Sequence, residues 1–272
     1  MIDGDLARKL GDAGVDLGVM GIQWGRRPER LPACSVTDRD LRLLRFVHDF
    51  GYVSTSTLAA MFWGRYGSAV RERLKLLHDI GLLDKLRPRV GRTTGAPEWV
   101  YRLTLLGWRV LRDRGEPADG EAFRPAKLTS IAYVERDVQV AALMAQIAVR
   151  SAEFVGRTGP LIDAAPFELL GPRSGTIDPR RERRAPDASP ASTLAGNRTA
   201  VMFEFDRTRR PSKQVERLQR YDWFLTVGWR ESRYARLDIE PAGLVVCAVD
   251  ASVNGLLRVA DREMTACIHG NR

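Results

Sequence analysis

The chain has 272 residues, 44% apolar and 28% charged, and its 43 Lys+Arg against 34 Asp+Glu leave a net charge of +9. This length and apolar content suit two modest domains or one large one, and the basic excess, with a pI near 9.9, selects a polyanionic partner, nucleic acid ahead of an anionic membrane surface. Cys34, Cys247 and Cys267 show no Cys-x-x-Cys spacing, which excludes a zinc ribbon and a disulfide framework and points to a reducing, cytoplasmic setting.

No membrane partner is expected. The most apolar run, 243–249, is far short of the roughly 20 residues of a membrane helix, and Asp3 and Asp5 stand where a secretion signal would be basic. In chain order, residues 1–36 carry Gly at 4, 11, 14, 18, 21 and 25 and Pro at 28 and 32, a flexible N-terminal arm. Thr37 is placed to cap a helix with Asp38 and Asp40 in its first turn and Leu41, Leu44 and Val47 at helical spacing, ended by Gly51. Ser54 or Ser56 opens a second helix through Leu58, Ala59 and Phe62. Gly64 and Gly67 then separate it from a third, 68–80, with Val70, Leu74 and Leu77 on one face. Two extended runs, 82–86 and 98–103, flank a basic tip with Gly and Pro at 87–97, which spells a β-hairpin. Thr104 caps a fourth helix closed by Gly115.

Three helices followed by a hairpin make a winged helix over 37–115, in which the third helix enters the major groove and the wing touches backbone or minor groove. This segment holds fifteen Lys+Arg against eight acids, most of the chain's imbalance. Opposite Val70, Leu74 and Leu77, the third helix presents Arg71, Glu72 and Lys75, with Ser68 at its start and Arg65 just before it. Arg65, Ser68, Arg71 and Lys75 suit phosphate oxygens or guanine edges, and Arg87, Arg89 and Arg92 of the wing are spaced along a groove. Double-stranded DNA is the expected partner. The competing reading is a solvated helix face on a protein-binding module. Of Trp63, Tyr66, Trp99 and Tyr101, only Tyr66 is expected to be exposed.

Residues 116–126, rich in Pro, Gly and charge, read as a linker to a second domain, 127–272. There a long helix over 130–150 precedes strands at 166–170, around 184–188 and 199–205, a helix over 212–226 and a buried strand at 244–249. Residues 171–184 and 189–198 read as loops. The order is αβββαβ, and the segment 171–220 holds twelve Lys+Arg against six acids, so this half too is expected to face DNA. In Glu204-Phe-Asp206 the period of two sets both acids on one sheet face, the arrangement a hard divalent cation uses. The alternative is a strand end whose acids pair with Arg207, Arg209 and Arg210. His48, His78 and His269 lie far apart in sequence and read as packing or surface residues.

The series Glu135, Pro186-Asp187, Glu204-x-Asp206 and a following basic helix resembles the restriction-endonuclease-like superfamily. Together with the winged helix before it, the expected architecture is an α+β chain: an N-terminal winged helix, then the restriction-endonuclease-like αβββαβ domain this resemblance implies. It implies Asp187 and Glu204, with Glu135 and Asp206, as ligands of Mg²⁺ or Mn²⁺. Asp206 occupies the position of the usual lysine, for which Lys213 or Arg207 would substitute, so the catalytic set would be Asp187, Glu204, Asp206 and Lys213. From 37 to 249 the chain also resembles the replication-relaxation family of actinobacterial plasmids and mobile elements, through Tyr101-Arg-Leu-Thr-Leu-Leu-Gly107, Pro186-Asp187-Ala188, Glu204-Phe-Asp-Arg-Thr208 and Arg217-Leu-Gln-Arg-Tyr221. This implies a DNA-binding accessory of replication, relaxation or transfer, with replication or transfer proteins and a second copy of the chain as candidate partners. Two functions stay open: a binding protein whose nuclease-like domain is weakly active or inactive, and a metal-dependent DNA endonuclease.

Overall fold

Helix starts and stops are written locally, and the computed structural model follows them. It describes residues 22–26, 28, 35–88, 98–115, 121–126, 128, 131–154, 168–173, 188–194, 197–206 and 211–248. The architecture is mixed α+β, with two four-stranded sheets among the described residues, divided into two compact units, Met1–Pro166 and Phe167–Arg272.

In the first unit, Thr37 and Asp40 form a reciprocal capping box at the start of α1 (Asp38–Phe50), and Gly51, with φ 87°, ends it. Strand β2 (Val53–Ser54) leads into α2 (Thr55–Trp63), whose first turn is capped when the Ser54 hydroxyl accepts from the Thr57 amide. Gly64 closes α2 in the left-handed region. Helix α3 (Ser68–Asp79) buries Val70, Leu74 and Leu77, as its periodicity requires. Strands β3 (Leu83–Pro88) and β4 (Val100–Leu103) pair antiparallel with Leu83 opposite Leu103 and Leu86 opposite Val100. Thr104 caps α4 (Leu105–Asp113).

Strand β1 (Ile22–Trp24) completes the sheet in the order β1-β3-β4-β2. Part of the expected flexible arm is therefore a strand: Trp24 pairs with Leu86, packs in the core and receives the Arg102 guanidinium 4.7 Å from its ring centroid. The surrounding glycines hide a three-residue strand whose partner lies 62 or more positions away. Residues 1–21 lie outside the described residues.

Helix α5 (Ile131–Phe154), 24 residues long, packs on this unit. Its Val134 joins Tyr52, Leu86, Val100 and Ala126 in one buried cluster. Leu83, one step out of phase with Leu86, is buried on the opposite face, so the sheet is covered on both sides. The 121–126 segment is also bonded in: the Ala126 carbonyl accepts from Tyr52 Oη at 3.3 Å and Arg102 Nη1 at 3.2 Å. The two compact units divide after Pro166, and the apolar face of α5 finds its partners on the first sheet.

The second unit contains β5 (Glu168–Leu170), β6 (Ser189–Leu194), β7 (Asn197–Asp206), α6 (Pro211–Thr226), a 3₁₀ turn (Gly228–Glu231), α7 (Arg233–Arg236) and β8 (Glu240–Ala248). The sheet order is β5-β6-β7-β8. The first two pairings are antiparallel, and β7 runs parallel to β8, the connection α6 supplies. Leu170, Ala191, Ala200, Met202, Phe224, Tyr234 and Ile239 form the core.

Along the chain α5, β5, β6, β7 and α6 follow one another, and the 3₁₀ turn and α7 come before β8. Two local expectations are corrected. Strand β6 lies at Ser189–Leu194, in a stretch read as loop, because Ser-Pro-Ala-Ser-Thr-Leu has neither alternation nor bulky β-formers and is held by β5 and β7; of the strand expected around 184–188, residues 184–187 lie outside the described residues and Ala188 bridges Phe203. The strand expected to be buried at 244–249 begins at Glu240 and ends the sheet order, with Val245 41% exposed.

Candidate nucleic-acid interface

With its apolar stripe buried, α3 turns Ser68, Arg71, Glu72 and Lys75 to solvent, and Arg65 and Tyr66 precede them, also exposed. Tyr66 is 55% exposed, as expected, and the Arg71 guanidinium lies 5.8 Å from its ring centroid. Lys75, its side chain 69% exposed, donates to Asp79 Oδ2 at 2.5 Å. Asp79 also faces His78 Nδ1 at 3.1 Å. Burial would raise the Asp79 carboxyl, but Lys75 and His78 outweigh it and hold it below the usual value.

Arg73 points the other way and fixes the helix. Its Nε donates to Asp40 Oδ1 at 2.8 Å, its Nη2 to the Ser35 carbonyl at 2.7 Å, and a further bond joins Nη2 to Asp40 Oδ2. Burial pushes the Asp40 carboxyl up, and the bonds from Arg73 and Thr37 pull it below its ordinary value. Through this pair α3 is pinned to the start of α1.

The hairpin adds a second basic group. Lys85 stands opposite Tyr101, so alternation puts Lys85, Arg87, Trp99 and Tyr101 on one face. The Arg87 guanidinium lies 4.3 Å from the Trp99 ring centroid and Lys85 Nζ 5.2 Å from it. Burial, reinforced by Lys75 and Arg87 against the opposing pull of Asp79, lowers the Lys85 ammonium. Tyr101 is buried, which pushes its phenol up to about 12 despite a hydrogen bond with Thr55. Glu98 bonds the start of α2, accepting from the Ser56 amide and from Ser56 Oγ at 3.0 Å. Lys85 and Trp99 are the members sequence reasoning missed; the signal was their even spacing from Arg87 on paired strands.

Arg65, Ser68, Arg71, Lys75 and Arg87 thus sit on α3, its approach and the adjoining hairpin. Arg89, Arg92, Arg207, Arg209, Arg210 and Asp187 lie outside the described residues, as do the side chains of Asp206 on β7 and Lys213 on α6. Glu135 is on α5, in the first unit, while Glu204 belongs to the second.

Glu204 shares a strand face with the core residues Ala200 and Met202 and is 9% exposed. Its Oε2 accepts from Tyr221 Oη at 2.6 Å and its Oε1 lies 3.4 Å from Arg217 Nε. Arg217 and Tyr221 are four apart on α6, hence on one helix face. Burial, then the neighbouring Glu204 charge, pushes the Tyr221 phenol well above its ordinary value, so it acts as a donor. Both Glu204 oxygens are engaged by protein donors, one cationic, and this part of the acidic group does not fit a divalent cation.

Another group could hold a metal ion: His48, Asp49 and Glu121 each bring one ligand atom within 4.8 Å of the others. Arg45 already joins its two acids, with Nε 3.0 Å from Asp49 Oδ2 and Nη1 and Nη2 at 2.9 and 2.8 Å from the Glu121 oxygens. His48 Nδ1 lies 3.1 Å from Asp49 Oδ1, and its ring stacks on Trp108 with centroids 4.4 Å apart. The arrangement ties 121–126 to α1. Sequence reasoning treated His48 as a packing residue and did not connect it to Glu121.

The chain belongs to the Replication-relaxation family, whose model matches residues 44–237, from α1 through α7. No curated protein and no solved structure matches it. Among the described residues no helix is long and apolar enough to cross a membrane.

Proposed function

We propose that this chain is a cytoplasmic double-stranded-DNA-binding protein acting in the replication, relaxation or transfer of a plasmid or mobile element. In this reading the first unit is a winged helix. Helix α3 enters the major groove, and the β3–β4 hairpin is the wing along the backbone. The observation that carries it is the outward face of α3, where Ser68, Arg71 and Lys75 are exposed, with Arg65 exposed just before the helix, while Val70, Leu74 and Leu77 are buried. Donor side chains at such positions contact phosphates and guanine edges. Titration of the full chain with a labelled duplex across a salt series tests the assignment. Affinity falls steeply with salt, and Arg71→Gln with Lys75→Gln weakens binding and lowers the slope of log affinity against log salt by about 1 per lost phosphate contact. A wild type that ignores duplex at low salt overturns it.

The second unit is read as a restriction-endonuclease-like core that adds basic surface for DNA and is weakly active or inactive. Its run of three strands, helix α6 and the parallel β7–β8 pair favour that ancestry, and they also favour the second reading, a DNA endonuclease using Asp187, Glu204, Asp206 and Lys213. Incubation of supercoiled DNA with Mg²⁺ or Mn²⁺, beside an Asp187→Ala variant, separates the two. Cleavage by the wild type that the variant lacks establishes the endonuclease.

A further inference from the structure

We propose that Lys85 and Arg87, held over Trp99 beside Lys75, form a seat for a single phosphodiester group of the DNA backbone at the junction of α3 and the hairpin; this rests on the DNA-binding reading and names a contact within it. The geometry is that of a prepared donor set. Trp99 lies under both cationic heads, at 4.3 Å for Arg87 and 5.2 Å for Lys85, which restricts two long side chains before any ligand arrives.

Arg87 Nε is buried and has no hydrogen-bond partner among the described residues, and buried donors are rarely left so. Asp79, the acid nearest in charge to this group, already accepts from Lys75 Nζ and lies against His78 Nδ1. Burial lowers the Lys85 ammonium; Asp79 pulls the other way, and Lys75 and Arg87 add repulsion. Like charges gathered on a partly sheltered platform are stabilised by an incoming anion.

Ammonium and guanidinium groups donate and never accept, which suits phosphate oxygens and equally the N7 and O6 acceptors of guanine, so reach decides between them. Both cations are half-buried, so a group that projects from its own molecule reaches them best, as a backbone phosphate does. The exposed face of α3, through Lys75, supplies the neighbouring contacts along the same strand.

The test uses the full chain and a duplex over a salt series, with Lys85→Gln, Arg87→Gln, Arg87→Lys and, as a distant basic control, Arg112→Gln. The expected result is a salt slope reduced by about 0.9 for each phosphate contact removed, equally on duplexes of unrelated sequence, with the slope restored in Arg87→Lys and unchanged in Arg112→Gln. Thermal melting of each variant identifies any that fail to fold; Arg87→Lys and a matching Lys85→Arg then carry the comparison against the wild type. Wild-type binding with slopes unchanged in folded variants overturns the seat and leaves the DNA reading standing. A loss confined to one duplex sequence overturns it in favour of base contact, and a wild type that does not bind duplex overturns both. Inorganic phosphate at matched ionic strength separates sources: protection of the wild type alone, with unaltered DNA slopes, assigns the seat to free phosphate and overturns the backbone assignment.

Discussion

A carboxyl group as sheltered as that of Glu204 needs donors, and Tyr221 and Arg217 supply them from one face of α6. Tyr221→Phe removes the closer donor and leaves Oε2 short of a partner inside the unit. The expected loss is about 1–3 kcal/mol of stability, read from the denaturant midpoint, with little change in duplex affinity. Lys85 is the reverse case, a cation whose surroundings work against it. Its charge faces Lys75 and Arg87, offset by Asp79, and burial lowers its folded value below 10.5. A depressed value means that the folded chain holds this proton less tightly than the unfolded chain. The penalty is therefore full at neutral pH and fades as pH rises through the folded value toward 10.5. Lys85→Met should raise the melting temperature at pH 7 while weakening DNA binding, and its advantage over the wild type should shrink near pH 10.5. A variant less stable than the wild type at pH 7 contradicts this account of strain held for binding.

Between elements, two joints decide whether α3 is presented correctly. Arg73 to Asp40 fixes α3 against the start of α1, and Gly107 lets α4 approach the hairpin, because a Cβ there would collide with the Leu82 carbonyl and the Leu103 side chain. Gly107→Ala is expected to lower stability by about 1–3 kcal/mol through overpacking. Arg73→Met should lose about 1.5–3 kcal/mol, the range for hydrogen bonds to charged groups. The Asp40 carboxyl sits below its ordinary 3.8 in the folded chain, so this contribution is present above that value and disappears as pH falls through the lowered one. Melting curves of wild type and Arg73→Met should thus converge in acid. The elements legible in sequence are those whose signals are local. Thr37, Ser54 and Thr104 cap helices, Gly51 and Gly64 end them, and Val70, Leu74 and Leu77 declare the buried side of α3. Strand β6 and the docking of α5 were not legible, because each depends on a partner that no short window contains. The same distinction runs through the candidate site. Arg71 and Lys75 follow from helical spacing, whereas Lys85 with Trp99 required the hairpin register, and Glu204 with Tyr221 required α6 to lie across β7.

At the scale of the whole molecule, the family match spans both units, so a single function has to use a basic first unit and a second unit with an acidic residue inside it. A metal-dependent nuclease would need Glu204 oxygens open to a cation. In this chain one oxygen takes the Tyr221 hydroxyl and the other faces Arg217, whose positive charge opposes a divalent ion at the same place. In the restriction-endonuclease-like reading proposed above, Asp206 takes the position of the lysine that assists the attacking water, and loss of one preorganised donor of that kind amounts to about 3 kcal/mol in the barrier, over a hundredfold in rate. Both effects weaken cleavage while leaving the basic surface intact. The full chain is therefore expected to bind linear and supercoiled duplex in EDTA, to bind no more tightly in Mg²⁺ or Mn²⁺, which compete for the phosphates, and to leave supercoiled DNA uncut over hours. Its melting temperature should not move when those ions are added. Ion-dependent nicking abolished by Asp187→Ala, or a metal-induced rise in melting temperature lost in Glu204→Gln, would show instead that Tyr221 and Arg217 yield Glu204 to a cation and that the second unit cuts what the first unit holds.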